Sequence, residues 1–335
     1  MQPYIIQADR VHKMASNVFS RSPFDSAPFP LYSPMHFAGE LAALITAFLW
    51  SFTSLFFTSA SRRIGSYWLN KIRILFAATL LCLVMLITTG RFLPPDIPFL
   101  SYLYLILSGI IGLSIGDTFL FRAYLVIGPR LSLLIYSVSP IMTAVIAWFF
   151  LGEKLGIPAI LGIIITVSGM TWVAVERASR NNNTGAHDRK NLRLGIMLAV
   201  GGAAGQAIGL VLAKAGMGNH LDALPATFIR MIAAVLSIWI YGTIRGDLME
   251  LKEKFRDHHA LLLALGGSIT GPFLGVWMSL VAVKLTEAGI AAAIIATVPV
   301  MVIPLVIIFY KEKVSPRAII GAIITAGGVA ILFIQ

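Results

Sequence analysis

The sequence predicts an all-α polytopic membrane protein of ten transmembrane helices, arranged as two inverted five-helix repeats. Three observations carry the prediction. The composition is that of a chain bathed in lipid, its apolar residues fall into ten runs of spanning length, and the second half repeats the first at a fixed offset.

Of 335 residues, 58% are hydrophobic and only 12% charged, against about 25% charged in soluble domains. Mean hydropathy is +0.85. A net charge of +11 would suggest nucleic acid in a soluble chain. Here the basic residues flank the apolar runs, where they set topology and meet anionic headgroups, so lipid is the expected partner and nucleic acid is not. The one cysteine, Cys82, lies inside an apolar run, and the six histidines (His12, His36, His187, His220, His258 and His259) lie at run ends or in polar loops. No disulfide, metal or cofactor is expected.

Residues 1–35 carry Pro3, Pro23, Pro28, Pro30 and Pro34 and lack the apolar core of a secretory signal, so they read as a disordered tail. Met35, directly before the first run, would serve equally as a start. A spanning helix needs about 20 apolar residues. The first run, 37–58, is closed by Arg62-Arg63, and the second, 68–89, by the gap Arg91 to Pro98. The third, 99–122, leads to Gly128-Pro129-Arg130; the fourth, 131–151, stops at Gly152 to Lys154. The fifth, 156–175, completes a first repeat over 36–176. A basic linker, 177–193, contains Asn181-Asn182-Asn183, and a second repeat over 194–335 holds runs 194–213, 223–243, 259–283, 288–310 and 315–335.

The duplication is strongest between Ala123 and Met170, where fourteen of 48 positions are identical to those 159 residues later. Pro140, Glu153, Lys154, Gly162 and Gly169 recur as Pro299, Glu312, Lys313, Gly321 and Gly328, and Ile164-Ile165-Thr166 recurs as Ile323-Ile324-Thr325. Fainter matches join Gly39 to Gly195, Arg73 to Arg230, and Gly112 and Gly116 to Gly271 and Gly275. Five helices per copy is an odd number, so the copies must cross the bilayer in opposite senses.

Several residues are costly in lipid and therefore candidates for function. Pro140 and Pro299 fall near the middle of their runs, where each removes a donor and frees the carbonyl of Tyr136 or Ile295, as hinges or cavity walls do. Arg73 and Arg230 lie five to eight residues into their helices. They either snorkel to the interface or supply paired anion sites or gating ion pairs with Asp117 or Glu40. Asp117 follows Gly109, Gly112 and Gly116 deep in the third run; it must be paired, protonated or placed at a helix break, and Val276 replaces it in the second half. Glu40 stands near a helix start, where the dipole favours it. Trp50, Ser51, Tyr136, Ser139, Gln206 and Trp277 either line a substrate cavity or pack. Glu153, Lys154, Glu312 and Lys313 read as structural turns, and the regularly spaced glycines as helix contacts.

Taken together, the segment SPIMTAVIAWFFLGEKLGIPAILGIIITVSGM and the phrases GDTFLFRAYLVIGPRLS and LWSFTSLFF resemble the EamA-type branch of the drug/metabolite transporter superfamily over residues 36–335. The resemblance implies ten helices, a central cavity near the midplane and alternating-access movement of a small organic solute. The duplicated stretch is also similar to the small multidrug-resistance exporters, which exchange protons at a first-helix glutamate. Leu49-Trp50-Ser51-Phe52 and Gly205-Gln206-Ala207 hold no carboxylate, so that coupling does not carry over.

The expected function is a non-enzymatic secondary transporter exporting a metabolite or drug-like solute, as a monomer or homodimer, in the bacterial inner (plasma) membrane. The alternatives are uptake or exchange of organic anions, a lipid-headgroup enzyme, or a non-transporting scaffold. No nucleotide-binding motif couples ATP, and no nucleophile elbow or hydrolase carboxylate pair is present. Fifteen basic residues in the odd-numbered loops against seven in the N-terminal tail and even-numbered loops would place both termini outside; the family resemblance implies that both lie inside.

Overall fold

In the computed structural model the described residues are 37–92, 97–180, 189–311 and 314–334. The expected tail, residues 181–188 of the linker, Glu312 and Lys313 lie outside them. The described chain is helical, with no strand among these residues. In order, the helices are α1 (Ala38–Ile64), α2 (Ser66–Thr89), α3 (Phe99–Gly128), α4 (Leu131–Leu151), α5 (Ile157–Val173), α6 (Leu192–Met217), α7 (Ala223–Arg245), α8 (His258–Leu285), α9 (Ala288–Leu305) and α10 (Pro316–Leu332). Eight are long and apolar enough to cross a membrane; α5 and α10 are shorter apolar helices.

Helices persist further than the apolar runs do. α1 continues through Arg62-Arg63, and only Gly65, with φ of 82°, separates it from α2. A helix satisfies its own backbone hydrogen bonds, so it extends into the interface until a residue tolerating positive φ stops it. Between α7 and α8 a 3₁₀ turn, Asp247–Glu250, and a short helix, Leu251–Lys254, lie where the sequence suggested only a gap.

The prolines require a correction. Pro140 and Pro299 do not lie inside continuous helices: α4 breaks at Ser137-Val138 and α9 at Ala296-Thr297, and each proline then sits in the first turn of the second leg. That position needs no donor, so proline is pre-organised for it. The two breaks stand 159 residues apart, the offset of the sequence repeat. Near them, the hydroxyls of Ser137 and Thr297 donate to the carbonyls of Leu134 (2.6 Å) and Ile294 (2.7 Å).

α3 and α8 share a second irregularity. Gly109–Gly116 and Ile269–Phe273 are π-helical, at overlapping positions of the repeat. The wider turn accommodates Pro272, which has no donor to give.

Packing joins the halves reciprocally. α3 packs on α6 and α8 on α1; α5 crosses α10, α2 meets α7, and α4 meets α9. A Cβ on Gly169 would stand 2.6 Å from the backbone nitrogen of Thr325, and one on Gly328 would stand 2.5 Å from that of Thr166. Gly169 and Gly328 are repeat partners, as are Thr166 and Thr325. The α5/α10 crossing therefore treats its two helices alike, and glycine is what permits the approach.

Candidate functional site

Two polar clusters close the ends of the bundle. At one, Glu153 at the end of α4 pairs with Lys214 of α6 at 2.6 Å and accepts from the Ala288 N–H that opens α9. Glu153 Oε1 makes no geometric hydrogen bond; the Lys214 ammonium is its partner. Lys214 also donates to the carbonyl of Thr286, whose hydroxyl donates to Glu40 at 2.8 Å. Glu153 thus holds elements of the second half rather than its own turn, while Lys154 is exposed.

At the other end, Arg63 of α1 donates to Asp257 at 2.8 Å, and Asp257 caps α8 by accepting from Ala260 N–H. The Arg63 hydrogen bond, then the Ala260 amide, hold the Asp257 carboxyl below the usual carboxylate range. Beside it lies a cluster that sequence reasoning missed. Lys71 is fully buried and donates to both carboxylate oxygens of Asp247 at 3.0 Å. Its ammonium lies 4.6 Å from the Trp68 ring and 4.5 Å from that of Trp239, while Tyr67 donates to Asp247 and Trp68 to Glu250. The polar run Asn70-Lys71-Ile72-Arg73 inside an apolar segment was the available signal.

Between these ends is the third constellation, with Arg73 and Asp117 partly buried and Arg230 buried. Asp117 is the first residue beyond the π-segment of α3, and its carboxylate pairs with Arg73 of α2. Arg73 also donates Nε to Asn70 Oδ1 at 2.9 Å and lies over the rings of Phe57 and Phe121. Asn70 reaches Thr118 at 3.5 Å, the limit of a hydrogen bond. Arg230 of α7 is 3% exposed. It lies within electrostatic reach of Asp117, as do Tyr124 and Tyr136, and its Nε and Nη1 have no hydrogen-bond partner. Neither arginine snorkels. The π-segment makes this possible: Gly109 packs directly on the backbone of Arg230, and a Cβ on Gly112 would lie 3.7 Å from Arg230 Nη2.

The remaining sequence candidates divide. Ser51 is buried and donates to Ala47 O, and Ser139 donates to Ala203 O, so both hydroxyls are committed to backbone. Trp50 packs against Gly275 and touches two apolar clusters, one of which also includes Trp277. Gln206 is half-buried on α6. Asn70, Phe57, Phe121 and Tyr124 belong to the centre but were not singled out, because each alone is unremarkable in its run.

Two clusters at the ends and one charged constellation between them suit a molecule that binds a polar group deep in the bundle. The two arginines and one aspartate leave one positive charge uncompensated. Comparison with known proteins agrees at the level of fold and family. The profile of the EamA-like transporter family matches residues 37–175 and 193–334, once in each half. A solved structure described only as "Crystal structure of protein" is similar with a TM-score of 0.68 at 16% identity, over 88% of this chain and 95% of that one. At that identity the likeness speaks for the fold alone. No curated protein matches the chain.

Proposed function

The chain belongs to the EamA-like transporter family, and from that premise we propose that it is a secondary carrier moving a small organic solute by alternating access where its two five-helix repeats, 36–176 and 194–335, meet. The observation that carries the proposal is the Arg73–Asp117–Arg230 constellation, built from both halves. An ionised group near the bilayer centre costs about 2.5–3.5 kcal/mol on insertion scales. A scaffold has no use for three of them.

Inverted insertion of the repeats is part of the proposal. It is supported by Thr286, which joins Glu40 at the start of α1 to Lys214 at the end of α6. The first helices of the two repeats therefore run antiparallel, as opposite insertion requires. The clusters at the ends of the bundle are suited to act as alternating gates, and the paired breaks in α4 and α9 as the joints between moving parts. The driving force is a proton or solute gradient, with Asp117 the group placed to exchange a proton, and the direction is export, in a bacterial inner membrane.

The test is counterflow. Liposomes carrying the protein and loaded with unlabelled amino acids, nucleosides, organic cations or organic acids should accumulate the labelled counterpart of at least one. No accumulation of any of them, together with no ligand-dependent thermal shift of the purified protein, would remove the reading.

A further inference from the structure

We propose that Arg230 is the anchor for an anionic head on the transported solute, a carboxylate or phosphate monoester, and that the solute is therefore an organic acid. The inference deepens the carrier reading and rests on it.

A guanidinium offers five N–H donors in a fixed fork. In Arg230, a residue 3% exposed, both Nε and Nη1 are buried without a hydrogen-bond partner. The two equivalent arginines differ in this respect. Arg73 is spent on Asp117 and Asn70, so Asp117 is already neutralised and Arg230 carries the centre's surplus charge. A buried donor pair left unmade is expensive, and Nε with a terminal nitrogen is a geometry that an oxyanion's two oxygens match bidentately.

Two further features shape the site. Glycine at position 112 lets α3 close on α6 beside the guanidinium: a Cβ there would meet Gly209 Cα at 3.4 Å and Gly205 O at 3.6 Å, with Arg230 Nη2 at 3.7 Å. Met231, the next residue on α7, lies in one apolar cluster with Leu113 and Val276, against which Trp50 and Phe273 pack. Apolar side chains thus flank the centre along α3, α7 and α8, and an organic anion with an apolar or aromatic body is the ligand class probed.

The experiment uses the full chain in phosphatidylcholine nanodiscs and four probes that share a phenyl ring: benzoate, phenyl phosphate, neutral benzamide and cationic benzylamine. Binding is read by ligand-dependent thermal shift and by competition with labelled benzoate. One or both anions should bind, the stronger identifying the head group, while benzamide and benzylamine should not. Arg230→Gln should weaken anion binding about ten-fold or more, with Arg230→Lys intermediate.

Equal binding of benzamide or benzylamine to the native chain overturns the proposal without any variant having to fold, and so does unaltered anion affinity in a folded Arg230→Gln. Phosphatidylglycerol added to the nanodiscs should leave benzoate affinity unchanged. If it competes, the head belongs to a lipid and the organic-acid assignment fails. Counterflow separates this inference from the reading beneath it. Cations or neutral solutes transported equally by the native chain and Arg230→Gln would refute the anion anchor and leave the carrier standing; anions bound but no solute moved would do the reverse.

Discussion

At the scale of single residues, the buried charges among the described residues are paired, with Arg230 the exception. Asp117 depends on Arg73, and if it carries the coupling proton, Asp117→Asn should abolish the pH dependence of transport; an unchanged pH profile would leave it only the task of holding Arg73. Lys71 is the most buried cation among the described residues, and truncating one partner of a buried ion pair costs about 3–5 kcal/mol because the other is left uncompensated. Asp247→Ala should therefore lower the thermal stability of the purified protein by about that amount, and Lys71→Met with Asp247→Ala together by clearly less. The exposed Arg63–Asp257 contact behaves differently. Asp257's pKa is depressed in the fold, so its stabilisation is present above the unfolded carboxyl's pKa of about 3.9 and disappears as pH falls through the lower folded value. The stability gap between the native chain and Asp257→Asn should be constant near neutrality and close on acidification below that range. Asp117 and the arginines were legible in the sequence because charge in lipid is conspicuous. The Lys71 cage was less so, since its carboxylates lie 176 and 179 positions away, in a loop whose fold no local pattern announces.

At the scale of helices, what the sequence repeats is mostly the geometry of breaks and crossings. The 159-residue offset located Pro140 and Pro299 correctly, but the break falls before each proline, because a first-turn position suits proline and a mid-helix one does not. The π-segments could not be read at all, since a π-bulge has no compositional signature comparable to proline's. Replacing Pro140 with Ala should let α4 run straighter through Ser137-Val138, slowing counterflow several-fold while leaving solute affinity nearly unchanged. An equal loss of affinity would mean that the break shapes the site and not the motion. At the α5/α10 crossing, Gly169→Ala or Gly328→Ala places a Cβ against backbone nitrogen, and each should cost about 1–3 kcal/mol of stability. The similarity of the two costs would reflect the crossing's symmetry.

At the scale of the whole molecule, hydropathy and duplication made the fold class readable in advance, because lipid as solvent restricts a spanning chain to a few solutions. Family membership, an all-helical architecture and a match in each half followed. The candidate centre was legible only as a set of separate residues. Arg73, Asp117, Arg230 and Tyr136 converge, whereas Ser51, Ser139 and Glu153 serve structure, and only tertiary packing distinguishes the two groups. Of the differing pairs Trp50 against Gln206, Asp117 against Val276 and Tyr136 against Ile295, the last two lie at or beside that centre. Divergence there and identity at the crossings is what a carrier of duplicated origin would require, with common machinery and one specialised site. The most direct test is counterflow of whichever labelled anion, benzoate or phenyl phosphate, binds the native chain more strongly, into proteoliposomes loaded with the same unlabelled anion, comparing the native chain with Arg230→Gln. The account predicts accumulation well above protein-free vesicles for the native chain and near background for the variant; that anion entering both at the same rate, or neither, would contradict it.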